Sequence, residues 1–303
     1  MNFWLYPSAA DFSDGLTQAA YAMPFPTWRM MDVGGANNSD DVTESDLSRA
    51  DWRYVGGAWN ARQRVPIARL VAICSAFNKS GWFCVPHGLN ETALKAWCRI
   101  VLDGSTQRPI IEISNEVWNA QFEQHHYAES RGGWVAWLAQ RARRVRALVG
   151  DRADVVVGGQ FWSVDRTLPL FDACAGVVDS VAVAPYFGRK GQDGTEIKRE
   201  IEQEISPLIR EYVALATDRN MRIYAYEGGY HGKDLKFAHS AECGQMDYLL
   251  WSSWRREGGG VWCPYALATS GNEVYGHLYL ENGIYILSTE VNGVINTQKI
   301  VKK

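Results

Sequence analysis

The 303-residue chain lacks the segments that define several large functional classes. No uninterrupted apolar run reaches the ~18 residues that a membrane-crossing helix needs. The N-terminus has neither the basic start nor the apolar core of a signal peptide. No CxxC pair occurs, and Cys74, Cys84, Cys98, Cys174, Cys243 and Cys263 are scattered. Neither a zinc site nor a thiol nucleophile is indicated, and buried free thiols are expected rather than disulfides. No GxGxxG pattern follows an early strand candidate and no GxxxxGK(S/T) occurs, which removes the usual phosphate cradles. With a net charge of −3 there is no basic field to attract nucleic acid. The cluster Arg141, Arg143, Arg144 and Arg146 reads as a solvated helix face. No cofactor and no metal are expected: His125, His126 and Glu129 lack a clear third ligand geometry, because adjacent histidines point to different helix faces.

What the chain does have is hydrophobic content of 47% and 13 tryptophans. Short apolar runs alternate with amphipathic segments from one end to the other. The runs cover residues 3–6, 28–33, 82–86, 110–114, 155–159, 181–185, 223–227 and 260–264. Helical periodicity recurs over 67–77, 91–102, 122–149, 195–216 and 241–256. Alternation of this kind implies parallel strands joined by crossover helices. Eight strand candidates without a nucleotide-binding turn predict an α/β fold of the (β/α)8 TIM-barrel type over residues 1–272.

Two segments depart from the repeat. Residues 34–64 form a long polar stretch after the second candidate strand, and loops of that length usually serve function. From residue 274 the pattern turns to β-type alternation over 275–280, 283–291 and 293–301, with Asn-Gly turns between. A small β-rich extension at 273–303, in place of a clear eighth helix, is the expectation. A faint likeness of this tail to bacterial sorting tails is the other reading.

The stretch Ile111-Glu112-Ile113-Ser114-Asn115-Glu116-Val117-Trp118-Asn119 and the later Tyr224-Ala225-Tyr226-Glu227-Gly228-Gly229 each put a glutamate at the end of an apolar run. Two carboxylates at strand ends are the minimum for cleaving a glycosidic bond with retention. In a TIM barrel the C-terminal strand ends share one face. The polar residues expected there are Arg29 and Asp32, then His87, Asn115 and Glu116, then Gln160, Phe161 and Trp162, then Tyr186, Glu227, and last Trp262 and Tyr265.

These motifs resemble the clan of retaining glycoside hydrolases built on (β/α)8 barrels, in which an acid/base glutamate follows an asparagine on strand four and a nucleophilic glutamate ends strand seven. Asn115-Glu116 and Glu227 match those positions. More narrowly, Arg29-Met30-Met31-Asp32, Asn37-Asn38-Ser39, residues 82–87, 114–119 and 226–229 with His231 resemble bacterial sequences labelled cellulose-binding proteins, over roughly residues 2–267. The resemblance implies a retaining β-glycoside hydrolase, endo-acting on an oligo- or polysaccharide, with Glu116 as acid/base and Glu227 as nucleophile. It implies substrate contacts from Arg29, Asp32, His87, Asn115, Trp118, Gln160, Trp162, Tyr186 and Trp262, with Asn115 on the sugar 2-hydroxyl. Such a protein would act in a secreted, periplasmic or cell-surface setting, with a cytoplasmic one as the alternative.

Other readings compete. A strand-end glutamate alone can cap a helix or pair with an arginine, Arg29 can serve Asp32 instead, and His87 can be a packed, hydrogen-bonded histidine. A carbohydrate-binding protein on an inactive barrel and a transglycosylase using the same carboxylates are the alternative functions. Glucan, mannan, xylan and galactan are not distinguished, and endo against exo action turns on whether the 34–64 loop closes one end of the cleft.

Overall fold

A computed structural model of the chain describes residues 25–31, 33–48, 65–188, 193–232, 234–238, 240–264, 283–291 and 294–302. Six parallel strands form one sheet: β1 (Thr27–Arg29), β2 (Ser80–Val85), β3 (Ile110–Ile113), β4 (Asp154–Gly158), β5 (Ser180–Val183) and, after a short β6 (Tyr186–Phe187), β7 (Arg222–Ala225). Their order is β1-β2-β3-β4-β5-β7, every pairing parallel. Between them lie α1 (Ile67–Ala76), α2 (Glu91–Gly104), α3 (Glu123–Glu129), α4 (Trp134–Val149), α5 (Val164–Cys174), α6 (Gly194–Glu200) and α7 (Ser206–Thr217); α8 (Leu235–Ala238) and α9 (Ala241–Arg256) follow β7.

Strand alternation separates two cores. Phe83, Val85, Ile111, Ile113, Val155, Val157, Val181 and Val183 pack outward under the helices. Trp82, Ile110, Val156, Ala182, Tyr224, Tyr226 and Cys263 meet on the inner face of the curled sheet. All six cysteines are buried free thiols, as their scatter predicted.

The described residues do not complete the expected eight-strand closure. The first candidate, 3–6, lies outside them. The last, 260–264, is a single parallel bridge from Trp262 to Ala225 rather than a strand. Its backbone bonds are Ala225 N–H to Val261 O at 2.8 Å and Cys263 N–H to Ala225 O at 2.9 Å. Three glycines before it and Pro264 after it, which has no N–H, offer little for a longer ladder.

The single helix expected over 122–149 is two, because Gly132 and Gly133 adopt φ of 100° and 99° and end α3. The helix expected over 195–216 is interrupted by a π turn at Ile201–Ile205, just before Pro207 enters α7. Ends elsewhere are set by side chains: Asn90 caps α2 on Ala93 N–H, Asp193 and Glu196 make a capping box on α6, and Ser240 caps α9 on Cys243 N–H.

At the C-terminus β9 (Gly283–Val291) and β10 (Val294–Lys302) form an antiparallel pair, matching two of the three tail strands expected. The third, 275–280, and the later part of the polar loop, 49–64, lie outside the described residues. No described helix is long and apolar enough to cross a membrane.

Candidate active site

The ladder between β5 and β7 breaks just past their C-terminal ends. Pro185 cannot donate to it, and pairing resumes only in a second parallel pair, β6 with β8 (Gly229–Tyr230). The interruption leaves Tyr186 and Glu227 facing each other, with the tyrosine hydroxyl donating to Glu227 Oε2 at 2.8 Å. Gly228 is required here, since a Cβ on it would lie 2.8 Å from the indole of Trp262 and 3.3 Å from Pro185 O. Trp262 is thereby seated beside the Glu227 backbone.

At the end of β3 the chain turns through two left-handed residues, Ser114 (φ 60°) and Glu116 (φ 40°), on either side of Asn115. Such conformations cost L-residues free energy and persist only where surroundings enforce them. The turn is held by Asn119 N–H to Glu116 O at 2.8 Å. The Glu116 carboxyl accepts from Tyr226 Oη at 2.8 Å and from Asn119 Nδ2 at 3.0 Å.

Arg29, at the end of β1, joins the two segments and has no exposed surface. Its Nη1 donates to Glu227 Oε1 at 2.9 Å and its Nη2 to Asn115 Oδ1 at 2.6 Å. Its Nε and Nη2 both reach Glu112 Oε2, at 3.0 and 2.9 Å. That oxygen also receives Trp82 Nε1 at 2.8 Å and the Cys84 thiol at 3.2 Å. Burial works against the Arg29 charge, but Glu112, Cys84 and Glu227 outweigh it and hold the guanidinium well above its ordinary range.

The two candidate carboxyls have different electrostatic surroundings. Burial lifts Glu227, while Arg29 and the Tyr186 hydroxyl oppose the rise. Burial, then the negative charge of Glu227, push Glu116 up to about 7, and its two hydrogen-bond donors are neutral. A pair sharing one proton therefore keeps it on Glu116 and leaves the charge on Glu227, beside the cation.

The remaining expected residues are distributed as follows. His87 follows β2, is 6% exposed, and packs edge-on against Tyr127 with ring centroids 4.9 Å apart. Burial, then Arg131 and Arg141, lower it to about 4, so it is neutral at ordinary pH. Asn115 is buried, with its carbonyl oxygen taken by Arg29 and its amide donating to Asn37 Oδ1 at 2.9 Å. Trp118 and Trp162 are half-buried, the latter 5.2 Å from Phe161. Gln160 is fixed through its backbone, whose carbonyl accepts from Thr167 Oγ1 and Tyr212 Oη. Asp32 and Tyr265 lie outside the described residues. No group of three or more metal-ligating side chains occurs among those described, and His125 Nδ1 instead lies 2.8 Å from Val117 O.

Glu112, Tyr226, Asn119, Asn37 and Gln124 join the site without a role foreseeable from the strand-end pattern. Glu112 carried a signal: an acid inside the run Ile110-Ile111-Glu112-Ile113 must find a buried partner. Asn37 and Gln124 carried none, because amides far apart in sequence do not announce that they meet.

No family model matches the chain, and no curated protein matches it by sequence. Solved structures do share its fold. An α-L-arabinofuranosidase from Thermotoga maritima, in complex with arabinose, is similar over 90% of this chain and 67% of its own, with a TM-score of 0.57 at 12% identity. Another arabinofuranosidase covers 83% of this chain and 58% of its own, at a TM-score of 0.59 and 13% identity. A 4-O-α-L-rhamnosyl-β-D-glucuronidase from Fusarium oxysporum covers 82% of this chain and 56% of its own, at 0.57 and 13%. The chain thus spans between 56% and 67% of the length of these three proteins. The likeness is one of fold: α/β, with a mostly parallel curled sheet flanked by helices, of the TIM-barrel kind.

Proposed function

We propose that this chain is a retaining glycoside hydrolase working by double displacement, with Glu227 as nucleophile and Glu116 as acid/base. The observation that carries the reading is the asymmetry of the two carboxyls. Glu227 is gripped by Arg29 and Tyr186, whereas Glu116 is half-buried among neutral donors and held at about 7. Three fold neighbours named as glycosidases support the same class.

In the first step Glu116 gives its proton to the glycosidic oxygen as a Glu227 oxygen bonds to the anomeric carbon, and the bond to the leaving sugar breaks. Arg29 and Tyr186 then release a charge that Glu227 has spent in the ester. With that charge gone, the repulsion raising Glu116 disappears, so its carboxylate can take a proton from water. The water oxygen bonds to the anomeric carbon, the ester breaks, and Glu227 regains its charge. The second amide proton of Asn115 is available to the sugar 2-hydroxyl, and Trp262 beside Gly228 provides an apolar floor. The substrate we propose is an oligo- or polysaccharide, cleaved internally at a β-linkage, outside the cytoplasm.

The test is hydrolysis of a panel of β-linked polysaccharides, aryl β-glycosides and, given the names of two fold neighbours, aryl α-L-arabinofuranosides. Glu227→Ala should lose activity, and added azide should restore turnover as a glycosyl azide of inverted configuration. Silence across the panel together with measurable glycan binding sinks the hydrolase reading in favour of a carbohydrate-binding protein.

A further inference from the structure

Gln124 sits in the first turn of α3, has no exposed surface, and is spent entirely on polar contacts. Its Oε1 accepts the backbone N–H of Asn38 at 3.0 Å, and its Nε2 donates to the backbone carbonyl of Asn115 at 2.8 Å. A backbone donor on one side and a backbone acceptor on the other fix which end of this amide is which. The same Nε2 donates to Asn37 Oδ1 at 2.7 Å, so the Asn37 amide is fixed as well. Asn37 Oδ1 must then receive Asn115 Nδ2, at 2.9 Å, which turns Asn115 Oδ1 toward Arg29 Nη2 at 2.6 Å. Flipping any of the three amides would set donor against donor. The chain of dipoles has one self-consistent direction, and it ends on the cation that grips Glu227 at 2.9 Å.

We propose that Gln124 is a positioning residue: through Asn37 and Asn115 it fixes the Arg29 guanidinium against Glu227 and couples the Asn37–Asn38 turn to that carboxylate. An amide retained only to fill space would not need both oxygen and nitrogen committed to the segments that frame the site. A buried relay of this kind makes the position of the loop after β1 felt at Glu227 without a direct contact. The groups facing Glu227 are Arg29 from β1, Cys84 from β2, Glu112 and Glu116 from β3 and the turn after it, Tyr186 from β6, and the neighbouring Tyr226. Of these, Arg29 is the cation, so loosening it raises the Glu227 titration midpoint. The mechanistic consequence rests on the hydrolase reading; the electrostatic one does not.

The experiment is a 13C titration of glutamate δ-carboxyls in the full chain, with Glu227 assigned by Glu227→Gln, for the parent, Gln124→Met and Asn37→Ala. Asn37 is half-buried, so its variant supplies the answer if Gln124→Met does not fold. Both variants should raise the Glu227 midpoint. On any substrate the parent hydrolyses, they should lower kcat by about tenfold to a hundredfold with a smaller change in KM, and move the acid limb of the profile upward. A parent-like Glu227 midpoint in a folded variant overturns the proposal, even if activity falls. A parent that hydrolyses nothing removes the hydrolase reading alone, since the titration still reports on Gln124.

Discussion

Arg29 and Glu112 form an ion pair with no exposed surface on either side chain, two guanidinium nitrogens converging on one carboxylate oxygen. The other oxygen, Oε1, has no hydrogen-bond partner and faces Gly158, where a Cβ would lie 3.3 Å away. Removing Glu112 leaves Trp82 Nε1 without its acceptor and the buried Arg29 cation with Glu227 as its remaining carboxylate, and breaking a buried pair in this way costs up to about 3–5 kcal/mol. Glu112→Ala is therefore expected to lower the denaturant midpoint sharply. Glu112→Gln should cost less and leave a second mark. The charge of Glu112 raises Glu227, so neutralising it should move the acid limb of a pH–rate profile downward, opposite to the shift expected for Gln124→Met.

Tyr226 donates to Glu116, favouring the carboxylate and opposing the rise that burial and Glu227 impose. Tyr226→Phe should therefore raise the Glu116 midpoint above about 7, and the basic limb of kcat/KM should follow it. A basic limb unmoved in a correctly folded Tyr226→Phe protein would assign that limb to another group.

The raised Glu116 also has a stability signature. Its folded-state value, about 7, lies above the ordinary 4.5, so the folded chain holds a proton that the unfolded chain releases. Its contribution is complete below about 4.5 and is lost as pH rises through about 7. Glu116→Gln, neutral at every pH, should leave the melting temperature unchanged near pH 4.5 and raise it at pH 8. The expected gain is roughly 1–3 kcal/mol. Equal melting temperatures for parent and variant at pH 8 would show that Glu116 ionises there without cost.

The strand–helix order, the catalytic candidates and the buried thiols were legible because each has a local signature. Short, mostly apolar runs buried along their length mark β2 to β5, and Asn115-Glu116 and Glu227 end their runs. What escaped was set by three-dimensional meetings or by backbone detail. The Gly132-Gly133 break divides one apparently continuous helix, since the apolar spacing of α4 continues that of α3. The β6–β8 pair is only two residues per strand, too short for any periodicity. The partners of Arg29 come from positions 83, 86 and 198 residues away; Glu227 is foreseeable because an ionised nucleophile needs a cation beside it, the charge inside β3 hints at Glu112, and nothing local points to Asn115.

His87 offers a pH dependence of the opposite sign. Burial with Arg131 and Arg141 depresses it from 6.5 to about 4, so the stability it contributes is present above pH 6.5 and lost as pH falls through about 4. Its Nδ1 has no hydrogen-bond partner to offset that burial. In NMR spectra the His87 ring resonances should stay flat from pH 8 to pH 5. Any step in His87 near pH 6.5 would place it in contact with water or an acid, contrary to its packing against Tyr127. His87→Phe should accordingly flatten the acid side of the stability curve.

Ser114 is the last residue before the Asn115-Glu116 pair, and its backbone sits at φ 60° with its hydroxyl buried and unpaired. Both features are unfavourable for serine: the left-handed conformation costs an L-residue roughly 1–2 kcal/mol, and a stranded hydroxyl adds to it. Glycine removes both. Ser114→Gly should match or exceed the parent in denaturant midpoint, despite the added freedom of its unfolded chain. Ser114→Val brings a bulkier, branched Cβ into the strained conformation at a buried position, and should be clearly destabilised. The two variants separate strain from positioning. If Ser114→Gly is as stable as the parent yet slower in turnover, the fixed backbone turn is what aims Glu116; if turnover is retained, the enclosure by Tyr226 and Asn119 suffices to aim it.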